Sequence, residues 1–302
     1  MLKSPKGRGR TWIGLPELLA MRHARFDWPL PTAGHARSGA AAAPLRARGM
    51  EFDQLRAWQP GDDSRHMHWK ATARTGRPYT KLYQEESERP CVLCADLSPR
   101  MHFATMGVFK SVLAARVAMM IAFSACAARE RVSALVMSSA GFALSPPLSG
   151  RRGVQSLAAA LAAAFRGGPP AADSFAPRLS AAAPLLRRHA PWGSRLVLIS
   201  DFLGADDVAA VRRLAARRPL LIVRLYDPLD RDLPPPGRYA VRDPLGELEF
   251  DSSAPAERRR FRRAFTETTR TLADIARASG GACLEFRTDR DPSRERARAV
   301  GR

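Results

Sequence analysis

An α/β fold, with a mainly parallel sheet covered by helices on both faces and a small subdomain before it, is what this sequence predicts, on three observations. From Pro90 onward short apolar runs alternate with longer helical stretches, the pattern of strands joined by crossover helices. Three of those runs stop at an aspartate: Leu93-Cys94-Ala95 at Asp96, Leu198-Ile199-Ser200 at Asp201, and Val223-Arg224-Leu225-Tyr226 at Asp227. Upstream of Pro90 the texture differs, dense in charged and aromatic residues from Gly49 to Glu88 and rich in Pro, Gly, Ala and Arg before that.

Taken in order, residues 1–48 read as a basic, loosely packed arm with one short helix near Leu15 to Arg25. Residues 49–89 form the small subdomain, with extended pieces that include Tyr79 to Gln84. The main domain, 90–290, opens with the strand Cys91 to Ala95, followed by a long helix from Thr105 to Arg129. Val132 to Met137 and Phe142 to Ser145 make a hairpin around Ser139-Ala140-Gly141. Helices Gly153 to Phe165 and Ser180 to His189 lead to the strand Arg195 to Ser200. A helix from Asp206 to Arg217 precedes the strand Leu220 to Tyr226. A Pro-rich loop runs into Tyr239 to Val241 and Leu248 to Phe250, expected as edge pieces. The last helix, Pro255 to Ala278, sets Phe261, Phe265, Leu272 and Ile275 on one stripe, and the strand Ala282 to Phe286 precedes a tail, 291–302.

A chain of 302 residues accommodates one large α/β core and an appendage. With 45% hydrophobic residues it is no disordered chain. The longest apolar stretch, Val112 to Ala128, carries Arg116 in its first turns and reads as a buried helix, since a bilayer span needs about 20 mostly uncharged residues. The N-terminus shows no leader pattern, and a cytoplasmic location is expected. Four scattered cysteines, Cys91, Cys94, Cys126 and Cys283, suit a reducing compartment. Cys91 and Cys94 spell Cys-x-x-Cys inside a strand, where side chains three apart point to opposite faces.

The formal charge of +20 comes from 44 Arg against 5 Lys, a skew that, with the load of Ala, reads as a coding bias. Its distribution is uneven: residues 1–48 hold nine basic and two acidic residues, and 255–302 hold thirteen and seven. Nucleic-acid binding by the basic termini is therefore the alternative class of function. The densest run, Arg258, Arg259, Arg260, Arg262 and Arg263, reads as the solvated face of a helix. No Gly-rich phosphate loop and no Gly-x-Ser-x-Gly elbow occurs, so no nucleotidase, kinase or hydrolase machinery is expected.

In open parallel sheets ligands bind outside the carboxyl ends of the strands, where strand order reverses, so Asp96, Asp201 and Asp227 are candidates to converge. The bland alternative is that each caps the helix after it. Asp96-Leu97-Ser98-Pro99-Arg100 resembles the Asp-x-Ser-x-Ser element of the metal-ion-dependent adhesion site in von Willebrand factor A domains, and Asp201 matches that site's late aspartate. Arg100 stands where the second serine belongs. The middle threonine has no clear counterpart, Ser145 and Ser149 being loose candidates. A guanidinium stays protonated and pairs with carboxylates, so Arg100 is expected to neutralise Asp96 and Asp201 and leave a degenerate, metal-free site. No cofactor is expected; Mg2+ held by Asp96, Ser98 and Asp201 is the alternative. His66-x-His68 lacks a third ligand and reads as a satisfied or exposed pair.

The segment Gly49-Met50-Glu51-Phe52, Arg56-Ala57-Trp58, Pro60-Gly61-Asp62-Asp63-Ser64-Arg65 and Trp69-Lys70-Ala71-Thr72-Ala73-Arg74 resembles, element by element, the signature of the bacterial domain of unknown function 58 family, with Trp58 in the aromatic place. Asp227-Pro228-Leu229-Asp230, Leu233-Pro234, Gly237 and Arg258 to Phe261 resemble its later pattern, so the likeness runs over roughly residues 49–290. It implies a von Willebrand factor A-like (Rossmann-like) fold and, by gene partnership, association with MoxR-type AAA+ ATPases acting on client proteins. Many members carry two membrane helices before the signature; none is read here. The chain is thus expected to be a non-enzymatic adaptor. Its contact surface would be the rim Asp96, Ser98, Arg100 and Asp201, and Glu51, Arg56, Asp62, Asp63, Arg65, Trp69 and Arg74 would form a packed polar network.

Overall fold

Cys91–Asp96 is buried at every position, which only a strand with neighbours on both sides and helices on both faces allows. The computed structural model describes residues 9–24, 50–58, 67–85 and 90–300 apart from 167, 169, 172–177, 191–192, 217, 244–245 and 295–297. The chain divides into two compact units, residues 37–88 and the rest.

In the smaller unit β1 (Met50–Ala57) pairs antiparallel with β2 (Tyr79–Glu85), Met50 opposite Glu85 and Ala57 opposite Tyr79. Between them lies α2 (Trp69–Thr75), numbered after the α1 (Leu15–Ala20) of the larger unit. His68 caps α2, its Nδ1 accepting the Ala71 N–H at 3.0 Å, and Gly76 at φ +69 ends it in the left-handed region.

In the larger unit α1 precedes a sheet made from β3 (Cys91–Asp96), β4 (Val132–Ser138), β5 (Gly141–Leu148), β6 (Arg195–Ser200), β7 (Leu220–Tyr226), β10 (Ala282–Arg287) and β11 (Arg298–Ala299). The strand order is β11-β10-β7-β6-β3-β4-β5. The pairs β10–β7, β7–β6, β6–β3 and β3–β4 are parallel, while the outer strands β5 and β11 run antiparallel to their neighbours. From β3 the chain steps first to β4 and then returns to β6 on the other side. The order therefore reverses between β3 and β6, next to Asp96 and Asp201.

Helices α3 (Lys110–Ala127) and α4 (Gly150–Ala164) cover one face of the sheet, and α5 (Leu179–His189), α6 (Ala205–Ala215) and α8 (Pro255–Ala278) the other. Cys91 lies in the first of these cores and Cys94 in the second, as the strand period requires. Burial pushes the Cys91 thiol up to about 12 and raises that of Cys94 as well. Neither is a thiolate near neutral pH. Among the described residues α3 is the one helix long and apolar enough to cross a membrane; Val112, Leu113, Val117, Met120 and Ile121 are fully packed against the sheet. On α8, Phe265, Leu272 and Ile275 are buried and Phe261 half-buried, so the apolar stripe does face inward.

Four expectations need correction. Residues 9–24 are no loose arm: Ile13 and Leu18 enter the core beneath α3 and α4, and Trp12 donates its indole N–H to the Phe165 carbonyl at 3.1 Å. Burying two aliphatic side chains contributes about 1.5–3 kcal/mol each, enough to dock a short amphipathic segment. The long helix starts at Lys110 rather than Thr105, because the Thr105 N–H and hydroxyl bond Asp227 instead. Gly107 sits at φ +78, where a Cβ would collide with the Thr288 carbonyl. The Tyr239 and Phe250 pieces, in β8 (Arg238–Asp243) and β9 (Gly246–Asp251), make a two-stranded sheet of their own and not an edge of the main one. The tail contributes β11, which pairs with β10.

Candidate functional site

Each of the three strand-end aspartates uses one carboxylate oxygen locally, accepting the N–H two residues on. Ser98 donates to Asp96 Oδ1 at 3.0 Å, Leu203 to Asp201 Oδ1 at 3.5 Å and Leu229 to Asp227 Oδ1 at 3.0 Å. The aspartate is a turn former at the end of a strand, but the capping account holds for Asp227 alone, the N-cap of the short helix after β7; the helices that follow Asp96 and Asp201 have Ser98 and Gly204 at their N-caps and no side-chain cap. The other oxygen, Oδ2, reaches across the chain in all three, and there the site is built.

Asp96 Oδ2 accepts from Arg100 Nη2 at 2.9 Å and from the Ser200 hydroxyl at 2.6 Å. The same guanidinium gives Nη1 to Asp207 Oδ2 at 2.7 Å and brings Nε to 3.7 Å from Asp201 Oδ1. One arginine thus joins carboxylates from β3, from the turn after β6 and from the first turn of α6. Asp207 spends its second oxygen on the Leu179 N–H at the start of α5, 3.2 Å away. Asp201 Oδ2 accepts from Lys110 Nζ at 2.9 Å, and the same ammonium lies 3.2 Å from Asp230 Oδ2. Asp230 in turn accepts the Asp227 N–H at 2.8 Å, closing a capping box on α7 (Pro228–Arg231).

Asp96, Asp201, Asp207 and Lys110 are all at most 2% exposed; the Arg100 side chain keeps 24%. Burial pulls the Arg100 and Lys110 pKa values down, but the fields of Asp96, Asp201 and Asp207 on the one, and of Asp201 and Asp230 on the other, outweigh it and raise both. Asp227 is held differently. Thr105 supplies its N–H and hydroxyl at 2.8 and 2.6 Å, and the Thr288 hydroxyl donates at 2.8 Å. Burial raises its pKa, yet these donors together hold it below the ordinary carboxylate value.

The backbone turns sharply at this edge. Phe202, next after Asp201, takes φ +52, unusual for a bulky residue; its side chain is fully buried, so packing holds the turn. Three large apolar side chains stand out of the same edge: Phe103 at 43%, Met106 at 59% and Leu203 at 55% exposure. Phe103 lies over Lys110, 5.7 Å from ring centroid to Nζ, and its carbonyl accepts the Lys110 N–H.

Of the expected rim, Asp96, Arg100 and Asp201 come together around one guanidinium, and Ser98 stands beside them, its N–H on Asp96 and its hydroxyl buried without a partner. Sequence reasoning missed Lys110, Ser200, Asp207 and Asp230. Asp230 had a local signal, three residues after Asp227 as in a capping box; Lys110 had none. Of the expected signature network, the side chains of Trp69 and Arg74 are described. Trp69 is 67% exposed and Arg74 is exposed, so neither is packed into a polar core. Both lie on a two-turn helix that a turn-rich sequence did not announce. Glu51 and Arg56 stand opposite Gln84 and Thr80 in the backbone register of β1 and β2, while Asp62, Asp63, Arg65 and His66 lie outside the described residues.

A hard divalent ion needs about six oxygen donors, for magnesium at about 2.0–2.1 Å in octahedral array. Asp96, Ser98 and Asp201 do not fit one. Both carboxylates are already paired with cations whose pKa values are raised, so neither cation discharges near neutral pH to make room. Among the described residues no group of three or more His, Cys, Asp or Glu side chains is set to hold a metal ion. Ser145 bonds Ser156 at 2.7 Å, away from this cluster.

The sequence profile of the family described as Protein of unknown function DUF58 matches residues 54–272. The chain is 32% identical over 245 residues to the uncharacterized protein Rv1480 of Mycobacterium tuberculosis, over 80% of this chain and 76% of that one. The uncharacterized protein Mb1516 of Mycobacterium bovis matches to the same extent. Among solved structures, the conserved hypothetical protein BatB from Bacteroides thetaiotaomicron is similar at a TM-score of 0.41 and 14% identity, over 68% of this chain and 92% of that one. An aerotolerance-related membrane protein from Bacteroides fragilis is similar at 0.40 and 16%, over the same shares.

Proposed function

This chain belongs to the DUF58 family, and on that premise we propose that it is a cytoplasmic, non-enzymatic adaptor whose carboxyl sheet edge contacts a partner protein. The observation that carries the reading is that three exposed apolar side chains, Phe103, Met106 and Leu203, stand on the same sheet edge as the ion network, Phe103 lying over Lys110. Apolar side chains clustered in the open are a feature of interaction surfaces, and a fixed polar floor costs little to order on binding. The network ties loops from four parts of the chain into one shape, which is what a docking rim needs. We further read the fold as von Willebrand factor A-like, with Arg100 in the place of the metal of such domains, and the partner as a MoxR-type AAA+ ATPase that acts with this chain on client proteins. Those finer points rest on the family resemblance.

Co-purification with a MoxR-type ATPase from the same genome tests the reading. Phe103→Asp, Met106→Asp and Leu203→Asp, each on the surface and each expected to leave the fold intact, should each reduce recovery of the ATPase. Full recovery by the triple variant would remove this edge as the contact. A second reading, polyanion binding by the basic ends, draws on the exposed Arg259, Arg263 and Arg270 of α8. It requires affinity for DNA or RNA that falls linearly in log–log form with salt, and no binding at low salt would end it.

A further inference from the structure

Lys110 is the least expected member of the site. It is the first residue of an 18-residue helix with no acidic residue in its first turn, at the end where the helix dipole is positive and cations are disfavoured. It is also 2% exposed, and burying an ammonium is costly unless it is paired. Local energetics thus oppose a lysine here twice over. What holds it is through-space: Asp201 at 2.9 Å and Asp230 at 3.2 Å.

From these contacts we infer that Lys110 and Arg100 act as a built-in divalent counter-ion for the switch-point carboxylates. The two positive side chains neutralise the charge of Asp96, Asp201, Asp207 and Asp230 that a bound cation would otherwise offset. Arg100 bridges Asp96, Asp201 and Asp207, Lys110 bridges Asp201 and Asp230, and Asp201 is shared between them. The arrangement makes the shape of the rim independent of cation supply, because the charges are covalently part of the chain. It also leaves four carboxylates facing two cations, with the buried Ser98 hydroxyl still without a partner. Removing the two cations therefore turns the pocket into an acceptor for a hard dication, and Arg100→Ser places a second hydroxyl two residues after that of Ser98. The inference stands whether or not the edge contacts a partner.

The test is Mn2+ binding by titration calorimetry and electron paramagnetic resonance, with thermal unfolding in parallel. Wild type is expected to bind no Mn2+ at this site. The double variant Arg100→Ser/Lys110→Met is expected to bind one ion per chain, to gain thermal stability with it, and to lose both on adding Asp96→Asn. If the metal-free double variant is unfolded, refolding on addition of Mn2+ but not of K+ supports the inference, and failure to refold overturns it. Stoichiometric Mn2+ binding by wild type that Asp96→Asn abolishes would overturn it as well.

Discussion

Arg100 and Arg224 are two arginines largely withdrawn from water, and their surroundings set them to opposite tasks. Arg100, on the turn after β3, faces three carboxylates, and their field outweighs burial and raises its pKa. Arg224, in the middle of β7 and 1% exposed, meets an aromatic face, a carbonyl and a hydroxyl. Its guanidinium lies 3.9 Å from the Phe265 ring centroid, and Nη1 donates to the Phe265 carbonyl at 3.1 Å and to Thr269. Its one close carboxylate, Glu285, is 3.8 Å away, and there burial prevails and lowers the pKa. A buried guanidinium is thus a charge in one region and a planar cross-link between helix and strand in the other. The difference lies in how many carboxylates share its pocket.

That contrast breaks most visibly under substitution by a side chain of similar length. Arg100→Met leaves Asp96, Asp201 and Asp207 buried without their common cation, and should cost about 3–5 kcal/mol in urea unfolding. Arg224→Met replaces a poorly paired cation by apolar volume beside Phe265, and should change stability by roughly 1 kcal/mol or less in either direction. Equal costs for the two would mean that the carboxylates around Arg100 are not what distinguishes the regions.

pH separates the rim's parts more finely. The Lys110 pKa is raised on folding, so its contribution is complete below its ordinary 10.5 and is lost as pH climbs through the folded value. The Asp227 pKa is lowered, so its contribution is complete above its ordinary 3.8 and is lost as pH falls through the folded value. Denaturant midpoints should therefore fall at both extremes. Asp227→Asn should flatten the acid limb and leave the alkaline one, and Lys110→Met the reverse. Smallest of all, Trp69→Ala and Arg263→Ala, both on exposed helix surface, should each move stability by no more than about 0.5 kcal/mol. A larger loss for Trp69→Ala would show that its ring packs against something after all.

Much of this architecture is legible in the sequence. Apolar runs of strand length, each stopped by a polar residue, announce where strands end, and Asp96, Asp201 and Asp227 do sit at the carboxyl edge. The proximity of Asp96 to Asp201 follows from sheet topology, and the role of Arg100 from the charge it brings to that edge. Residues 9–24 mislead because Pro, Gly and Arg around them mask a short apolar face that only the α3–α4 surface makes useful. Trp69 misleads in the other direction, an aromatic in a charged segment that resembles a packing anchor and stands in the open instead.

What the amino-acid order determined by itself is the alternation of buried strands and helices, and with it an edge lined by aspartates, because hydrophobic periodicity is a property of neighbours along the chain. What the tertiary structure alone decided is the pairing: Lys110 with Asp201 and Asp230, Arg100 with Asp207, Ser200 with Asp96. These partners are separated by roughly a hundred residues. Coulomb energy depends on distance through space and on the water excluded between charges, and neither exists until the sheet has brought those segments together.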